Sequence, residues 1–164
     1  GMVVAPDKMI TMPEAEIKLD NLSKCLEEAY LLYFNTRKDI KLNLIKPEND
    51  IYFHFDTLQI SRCFSNLIKN AIEAVEKIPN PAVEVLMATD AKNIKIEIKD
   101  NGVGIDEKML SKIFEPYFTT KTKGTGLGLS IVKRIIEDHG GKIKIEKNKN
   151  MAGTKSLINF EYNA

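Results

Sequence analysis

The sequence predicts an α+β fold, a two-layer α/β sandwich with a mixed, mostly antiparallel sheet of about five to seven strands and about three helices on one face. Two observations lead there. Three stretches carry apolar residues at helical spacing, and several short ones alternate apolar with polar residues between turn signals. No internal repeat is present, and 164 residues suit one domain rather than two.

Composition narrows the class further. The chain is 43% hydrophobic, enough for a real core, and 29% charged, enough for an ordinary surface. A net charge of +1 gives no basic excess, so no nucleic acid partner and no membrane contact by this domain are expected. Lys142, Lys144, Lys147 and Lys149 read as solvent faces of strands and turns, because apolar residues alternate with several of them. Cys25 and Cys63 each fall on a helical apolar pattern, which predicts two reduced core thiols in a cytosolic domain rather than a disulfide framework. No apolar run approaches the roughly 18 residues of a membrane span, and no signal peptide is visible. A cytoplasmic location follows as the expectation. Gly1-Met2 reads as a cleavage scar before an internal start, so a longer parent protein is expected, and a membrane anchor elsewhere in it is compatible with this chain.

Residues 1–14 lack periodicity and contain Pro6 and Pro13; they read as a linker or tail, leaving 15–164 as the domain. A helix is expected over 20–35, with Asp20 as N-cap and a stripe of Leu19, Leu22, Leu26, Ala29, Tyr30, Tyr33 and Phe34. Short strands follow near 40–45 and 51–55, separated by Pro47-Glu48-Asn49-Asp50. A second helix starts after Asp56, a good N-cap, and runs to about Ile78, where Pro79 and Pro81 stop it. Strands are expected at 83–89 and 94–100, then a glycine-punctuated stretch from Gly102 to Gly128. A third helix over 127–139 ends at Gly140-Gly141, and strands at 142–147 and 154–162 close the chain. The last strand, rich in polar residues, is read as an edge strand.

Three places carry candidate chemistry. On the second helix, Asn66, Asn70 and Glu73 fall together on the flank of the stripe formed by Ile60, Cys63, Phe64, Leu67, Ile68, Ala71, Ala74, Val75 and Ile78. Two amides and a carboxylate there offer hard oxygen ligands that suit Mg²⁺ shared with substrate phosphates. The plain alternative is a solvated polar shoulder.

The second place is the strand ending at Asp100. Ile94, Ile96 and Ile98 alternate with Lys95, Glu97 and Lys99, which puts Asp100 on the isoleucine face. A carboxylate aimed at an apolar interior is costly without a hydrogen-bonding partner. Asn101-Gly102-Val103-Gly104 follows, and glycines allow close backbone approach to a flat ligand. An acid walled by glycine backbone is what recognition of the adenine amine needs. The alternative is a simple Asn-Gly hairpin turn, which leaves the long loop-like stretch after it unexplained.

The third is Gly124-Thr125-Gly126-Leu127-Gly128-Leu129-Ser130, opening a helix. Glycines at a helix N-terminus expose free N–H groups at the positive end of the dipole, a ready anion site. It is neither a Walker P-loop nor the dinucleotide fingerprint, whose Lys-Ser/Thr and glycine spacing are missing.

Taken in order, "NLIKNAIEAV" (66–75), "DNGVGI" (100–105), "FEPYFTTK" (114–121) and "GTGLGLS" (124–130) closely resemble the N, G1, F and G2 boxes of sensor histidine kinase catalytic domains. These belong to the GHKL group, with type II topoisomerases, Hsp90 chaperones and mismatch-repair ATPases, whose shared architecture is the Bergerat fold. The wording of the first and third motifs is most similar to the nitrogen-regulatory subgroup of sensor kinases. The resemblance covers about residues 15–162.

It implies ATP and Mg²⁺ as cofactors, with Asn70 as the metal ligand and Asn66 nearby in the phosphate region. Asp100 would accept from the adenine amine, with Gly102, Gly104 and Ile105 shaping that pocket. Residues from about Asp106 to Lys123, including Phe114, Thr119, Thr120 and Lys121, would form a mobile lid, with Lys121 a candidate γ-phosphate contact. Gly124, Thr125, Gly126, Leu127, Gly128 and Leu129 would bring backbone N–H groups to the phosphates, and Glu73 would lie beside Asn70. Asn66, Asn70 and Lys121 would be the catalytic set. The partners implied are the parent's own dimerisation and phosphoacceptor domain and a downstream response regulator.

Hydrolysing relatives in this group are expected to place a Glu one helical turn before the metal-binding Asn; here that residue is Asn66. An amide cannot take a proton at neutral pH, which disfavours hydrolysis and favours transfer to a presented nucleophile. Neither His54, in a predicted strand, nor His139, at a helix end, lies in an acceptor-like helical hairpin. The chain is therefore expected to bind ATP while lacking its phosphoacceptor. The alternatives are a gyrase- or Hsp90-like ATPase module, a degenerate nucleotide-binding interaction module, and a protein-serine kinase. Met151-Ala152-Gly153-Thr154 departs from the Gly-rich turn usual in the family.

Overall fold

The structure is a computed structural model describing residues 14–116, 128–149 and 152–162. Its elements run β1 (Lys18–Asn21), α1 (Leu22–Phe34), β2 (Lys41–Ile45), β3 (Tyr52–Phe55), α2 (Thr57–Val75), β4 (Ala82–Thr89), β5 (Asn93–Asp100), a one-turn α3 (Glu107–Leu110), α4 (Leu129–Asp138), β6 (Gly141–Lys147) and β7 (Thr154–Glu161). A five-stranded sheet has the order β2-β4-β5-β7-β6; β2 and β4 are parallel and the other pairs antiparallel. β1 and β3 form a separate antiparallel ribbon. This is the expected α/β sandwich. The tail expected over 1–14 lies, apart from Glu14, outside the described residues.

The period-2 pattern of the strands sets which face is covered. Val83, Val85 and Met87 of β4 and Ile94, Ile96 and Ile98 of β5 are all buried. The register sets Ile96 opposite Met87 on one side and Ile158 on the other, so these residues form continuous rows under the helices. Against them pack Ile60, Phe64, Leu67 and Ile68 of α2 and Val132, Ile135 and Ile136 of α4. Each fully buried side chain of this kind contributes about 1.5–3 kcal/mol. On the open face, Lys155 pairs with Glu146 at 3.1 Å and lies 3.9 Å from Glu97, while Lys99 lies 3.6 Å from Glu97. Lys142, Lys144, Lys147 and Lys149 are exposed as expected.

Four expectations need correction. β7 is not an edge strand but lies between β5 and β6. Its polar residues have cross-strand partners on the open face, as when Asn159 donates to Asn93 at 3.0 Å, so polarity there does not mark an edge. The first helix begins at Leu22, and its N-cap is Asn21, which accepts from the Lys24 N–H at 2.9 Å. Asp20 and Leu19 belong instead to β1, where pairing with β3 overrides helical spacing; Leu19 is exposed, as is Phe34. α2 stops at Val75, short of Ile78. The residue before a proline disfavours helical dihedrals, and Asn80 turns the chain at φ 55°. Finally, α4 starts at Leu129 rather than Leu127.

The expected cap at Asp56 is present, accepting the Gln59 N–H at 2.9 Å. Cys25 and Cys63 are buried and unbridged, and burial pushes each thiol up to about 12, leaving both unreactive.

Candidate functional site

The end of β5 brings a charge into the covered face. Asp100 is 5% exposed and faces the interior, as the alternation requires. Its Oδ1 accepts the Gly102 N–H at 2.9 Å and the Thr154 N–H at 3.3 Å, while Oδ2 takes no bond among the described residues. Burial raises the carboxyl above its ordinary range, and the two N–H groups offset this only in part. The carboxyl is thus buried and held through one oxygen, with the other left without a bond among the described residues.

No hairpin follows. Asn101 is tied back to the start of β4, its Oδ1 accepting from the Ala82 N–H at 2.9 Å. The two glycines of the loop have different reasons. A Cβ on Gly102 would collide with the Ala74 carbonyl of α2, so this glycine lets the loop meet the helix, not a ligand. Gly104 instead sits at φ 79°, open only to glycine without strain. A groove of about 680 Å³ runs beside this loop, lined by Gly104, Ile105, Lys147, Asn148 and Gly153 among others.

On α2, Asn66 is 5% exposed, deeper than a flank position suggests. Neither its Oδ1 nor its Nδ2 has a partner among the described residues. Two orphaned atoms on a buried amide cost about 1–3 kcal/mol each unless a ligand or other group meets them. Asn70 and Glu73 lie on the same helix and are partly buried. Close by, Tyr33 of α1 approaches the Ser65 carbonyl at 3.5 Å.

α4 presents the third feature. Its N-cap is Gly128, and no side-chain capping bond is made to its first turn among the described residues. Phe114 is packed on the core and lies under the Lys133 ammonium of α4, 5.5 Å from the ring centroid. Ile113 beside it is 3% exposed. The segment expected as a lid from Asp106 is therefore tied to the core in its first part, where Asp106 caps α3. Thr119, Thr120, Lys121, Gly124, Thr125, Gly126 and Leu127 lie outside the described residues.

The residues that sequence reasoning missed are Asn148, Gly153 and Thr154, which meet Asp100 from the β6–β7 turn. The turn read as a departure from pattern is part of the site. Its signal was Gly153 directly before a strand, a position at φ 111° that marks a close approach of backbone.

Residues 55–163 match the family described as histidine kinase-, DNA gyrase B- and HSP90-like ATPases. The chain belongs to this family. Among its relatives is sporulation kinase A of Bacillus subtilis (strain 168), 40% identical over 143 residues, which are 85% of this chain and 23% of that protein. Nitrogen regulation protein NtrY of Azorhizobium caulinodans is 40% identical over 96 residues, 56% of this chain and 12% of that protein. The nucleotide-free catalytic domain of histidine kinase ThkA superposes with a TM-score of 0.80 at 32% identity, covering 90% of this chain and 97% of that one. ThkA is also solved in complex with the response regulator protein TrrA, at a TM-score of 0.74 and 29% identity, covering 88% of this chain and 41% of that one. The ATPase-family domain thus spans under a quarter of the length of these two curated relatives. Among its described residues, no helix is long and apolar enough to cross a membrane.

Proposed function

We propose that residues 15–164 are the catalytic domain of a two-component sensor histidine kinase, binding Mg-ATP and delivering its γ-phosphoryl group to a histidine on a separate dimerisation domain. The observation that carries this is Asp100, a buried carboxylate with one oxygen fixed by N–H groups and the other available to an exocyclic amine. A stability role would not leave a buried acid half-satisfied.

The chain's residues divide the work. Asp100 reads the base, and the loop through Gly104 and Ile105 walls it. The uncapped N-terminus of α4, with the glycine run before it, gives N–H groups and a positive dipole end to the phosphates. Asn70 offers an amide oxygen to Mg²⁺, which suits an ion that takes one or two protein oxygens and completes its shell with phosphate and water. When bound, the ion neutralises phosphate charge. In the transfer, the bond from γ-phosphorus to the bridging oxygen breaks as a nitrogen–phosphorus bond forms, and ADP leaves. Positioning dominates such chemistry, and Asn66 in place of an acid provides no base for water. Lys121 is proposed to meet the γ-phosphate. A cytoplasmic domain with a response regulator downstream is the matching setting, and ThkA in complex with TrrA supports that partner class.

The test is isothermal titration of a non-hydrolysable ATP analogue with and without Mg²⁺, followed by addition of the parent's histidine-bearing domain. Magnesium-dependent binding and acid-labile phosphohistidine are expected. Well-folded protein that binds no nucleotide would overturn the reading, and rapid steady-state hydrolysis without an acceptor would turn it into a gyrase- or Hsp90-like ATPase.

A further inference from the structure

The pairing of β5 with β7 runs from Asn93 opposite Glu161 to Lys99 opposite Lys155, one pair short of Asp100 and Thr154. At that missing pair, side chains enter the ladder. The Thr154 N–H donates to the Asp100 carboxylate, and the Asp100 main-chain carbonyl accepts from Nδ2 of Asn148 at 3.3 Å. Asn148 follows the last residue of β6, and its own N–H donates to the Gly153 carbonyl at 3.1 Å, closing the turn. Gly153 lies so close to the Asp100 carbonyl that any Cβ there would overlap it.

Asparagine in a turn ordinarily serves local geometry at the surface. Asn148 is 8% exposed, and its amide reaches across 48 residues of sequence to the strand end that carries the carboxylate. We propose that Asn148 is a positioning residue for the base-reading carboxylate, and through it a determinant of purine choice. The inference rests on the reading of Asp100 given above. Fixing the carbonyl fixes the strand end, and with Oδ1 held by Gly102 and Thr154 the direction of Oδ2 is set as well. Without the amide the strand end gains freedom, and the oxygen that meets the exocyclic amine loses its aim. In the proposed reading the phosphate contacts would come from α2 and α4, outside this turn.

Discrimination between purines tests it. Affinities of the full chain are measured by isothermal titration for a non-hydrolysable ATP analogue and for its inosine counterpart, which has a carbonyl where adenine has its amine. Asn148→Leu keeps the bulk and removes the donor; Asn148→Ser returns a donor on a short side chain. The Leu variant is expected to bind the adenine analogue about tenfold more weakly, the loss for one misaligned charged hydrogen bond, with the inosine analogue changed less than about twofold. The Ser variant should recover part of the adenine preference. Parallel weakening of both analogues, an unchanged adenine affinity, or a Ser variant no better than Leu would overturn the role. Should the Leu variant fail to fold by circular dichroism, Asn148→Ala is read in the same way. A parent that binds neither analogue overturns the nucleotide site itself, a result distinct from a failure seen only in the variants.

Discussion

His139 accepts the backbone N–H of Asp56 at its Nε2, 3.0 Å away across 83 residues of sequence. Its Nδ1 lies 2.7 Å from the Ile135 carbonyl, one turn back in α4, so the imidazole donates there and accepts from Asp56. Asp56 in turn caps α2 and takes the Glu16 N–H at 2.8 Å. One ring therefore joins the end of α4 to the start of α2 and, through Asp56, to the chain leading into β1.

Replacing that ring should cost stability without touching the site. His139→Ala leaves the Asp56 N–H without its acceptor in a residue that is 8% exposed, at a cost of about 1–3 kcal/mol. Urea denaturation is expected to show a lower midpoint with an unchanged slope, and nucleotide titration an unchanged affinity.

Asp56 gives a pH signature of the opposite kind to Asp100. Burial works to raise the Asp56 carboxyl, but the N–H groups of Gln59 and Glu16 hold it below the ordinary range. A depressed native pKa means stability that is present above the unfolded pKa and lost as pH falls through the native value. Asp56→Ala should cost about 0.5–2 kcal/mol at neutral pH. Denaturant titrations across the acid range should show parent and variant converging.

At Asp100 the sign reverses. Its native pKa is raised by burial, so its stabilising contribution is present below the unfolded pKa and lost as pH rises through the native value. Asp100→Asn keeps an oxygen for Gly102 and Thr154 and removes the charge. The variant should be at least as stable as the parent at neutral pH, with the advantage fading in acid. Its amide nitrogen would then stand where Oδ2 is proposed to meet the adenine amine, donor against donor. ATP-analogue affinity should fall about tenfold to hundredfold, the loss of a charged hydrogen bond, and titration calorimetry reads it directly.

The loop glycines should separate by cause. Gly102→Ala drives a Cβ into the backbone of Ala74, and Gly153→Ala does the same to Asp100 while also straining φ 111°. Each is expected to cost about 2 kcal/mol or more by overpacking and to weaken nucleotide binding. Gly104→Ala meets nothing closer than 3.6 Å and should cost only the left-handed backbone strain, about 1–2 kcal/mol. Thermal unfolding of the three variants checks the order.

Much of this protein was fixed by local pattern. The alternation Ile94, Ile96, Ile98 determined that Asp100 faces inward, the spacing from Ile60 to Val75 determined the buried side of α2, and Asp56 announced its cap. These are properties of a strand's two faces and a helix's one stripe, which neighbours in sequence decide. What only the tertiary structure decided joins residues far apart. β1 exists because β3 pairs with it, and β7 lies inside the sheet although its composition reads as an edge. Asn66 is buried deeper than its angle on α2 implies, and Asn148 and Thr154 reach Asp100 only because β7 returns beside β5 and the β6–β7 turn closes over the strand end. Register between distant strands is set by the whole core packing at once, and no window of sequence contains it.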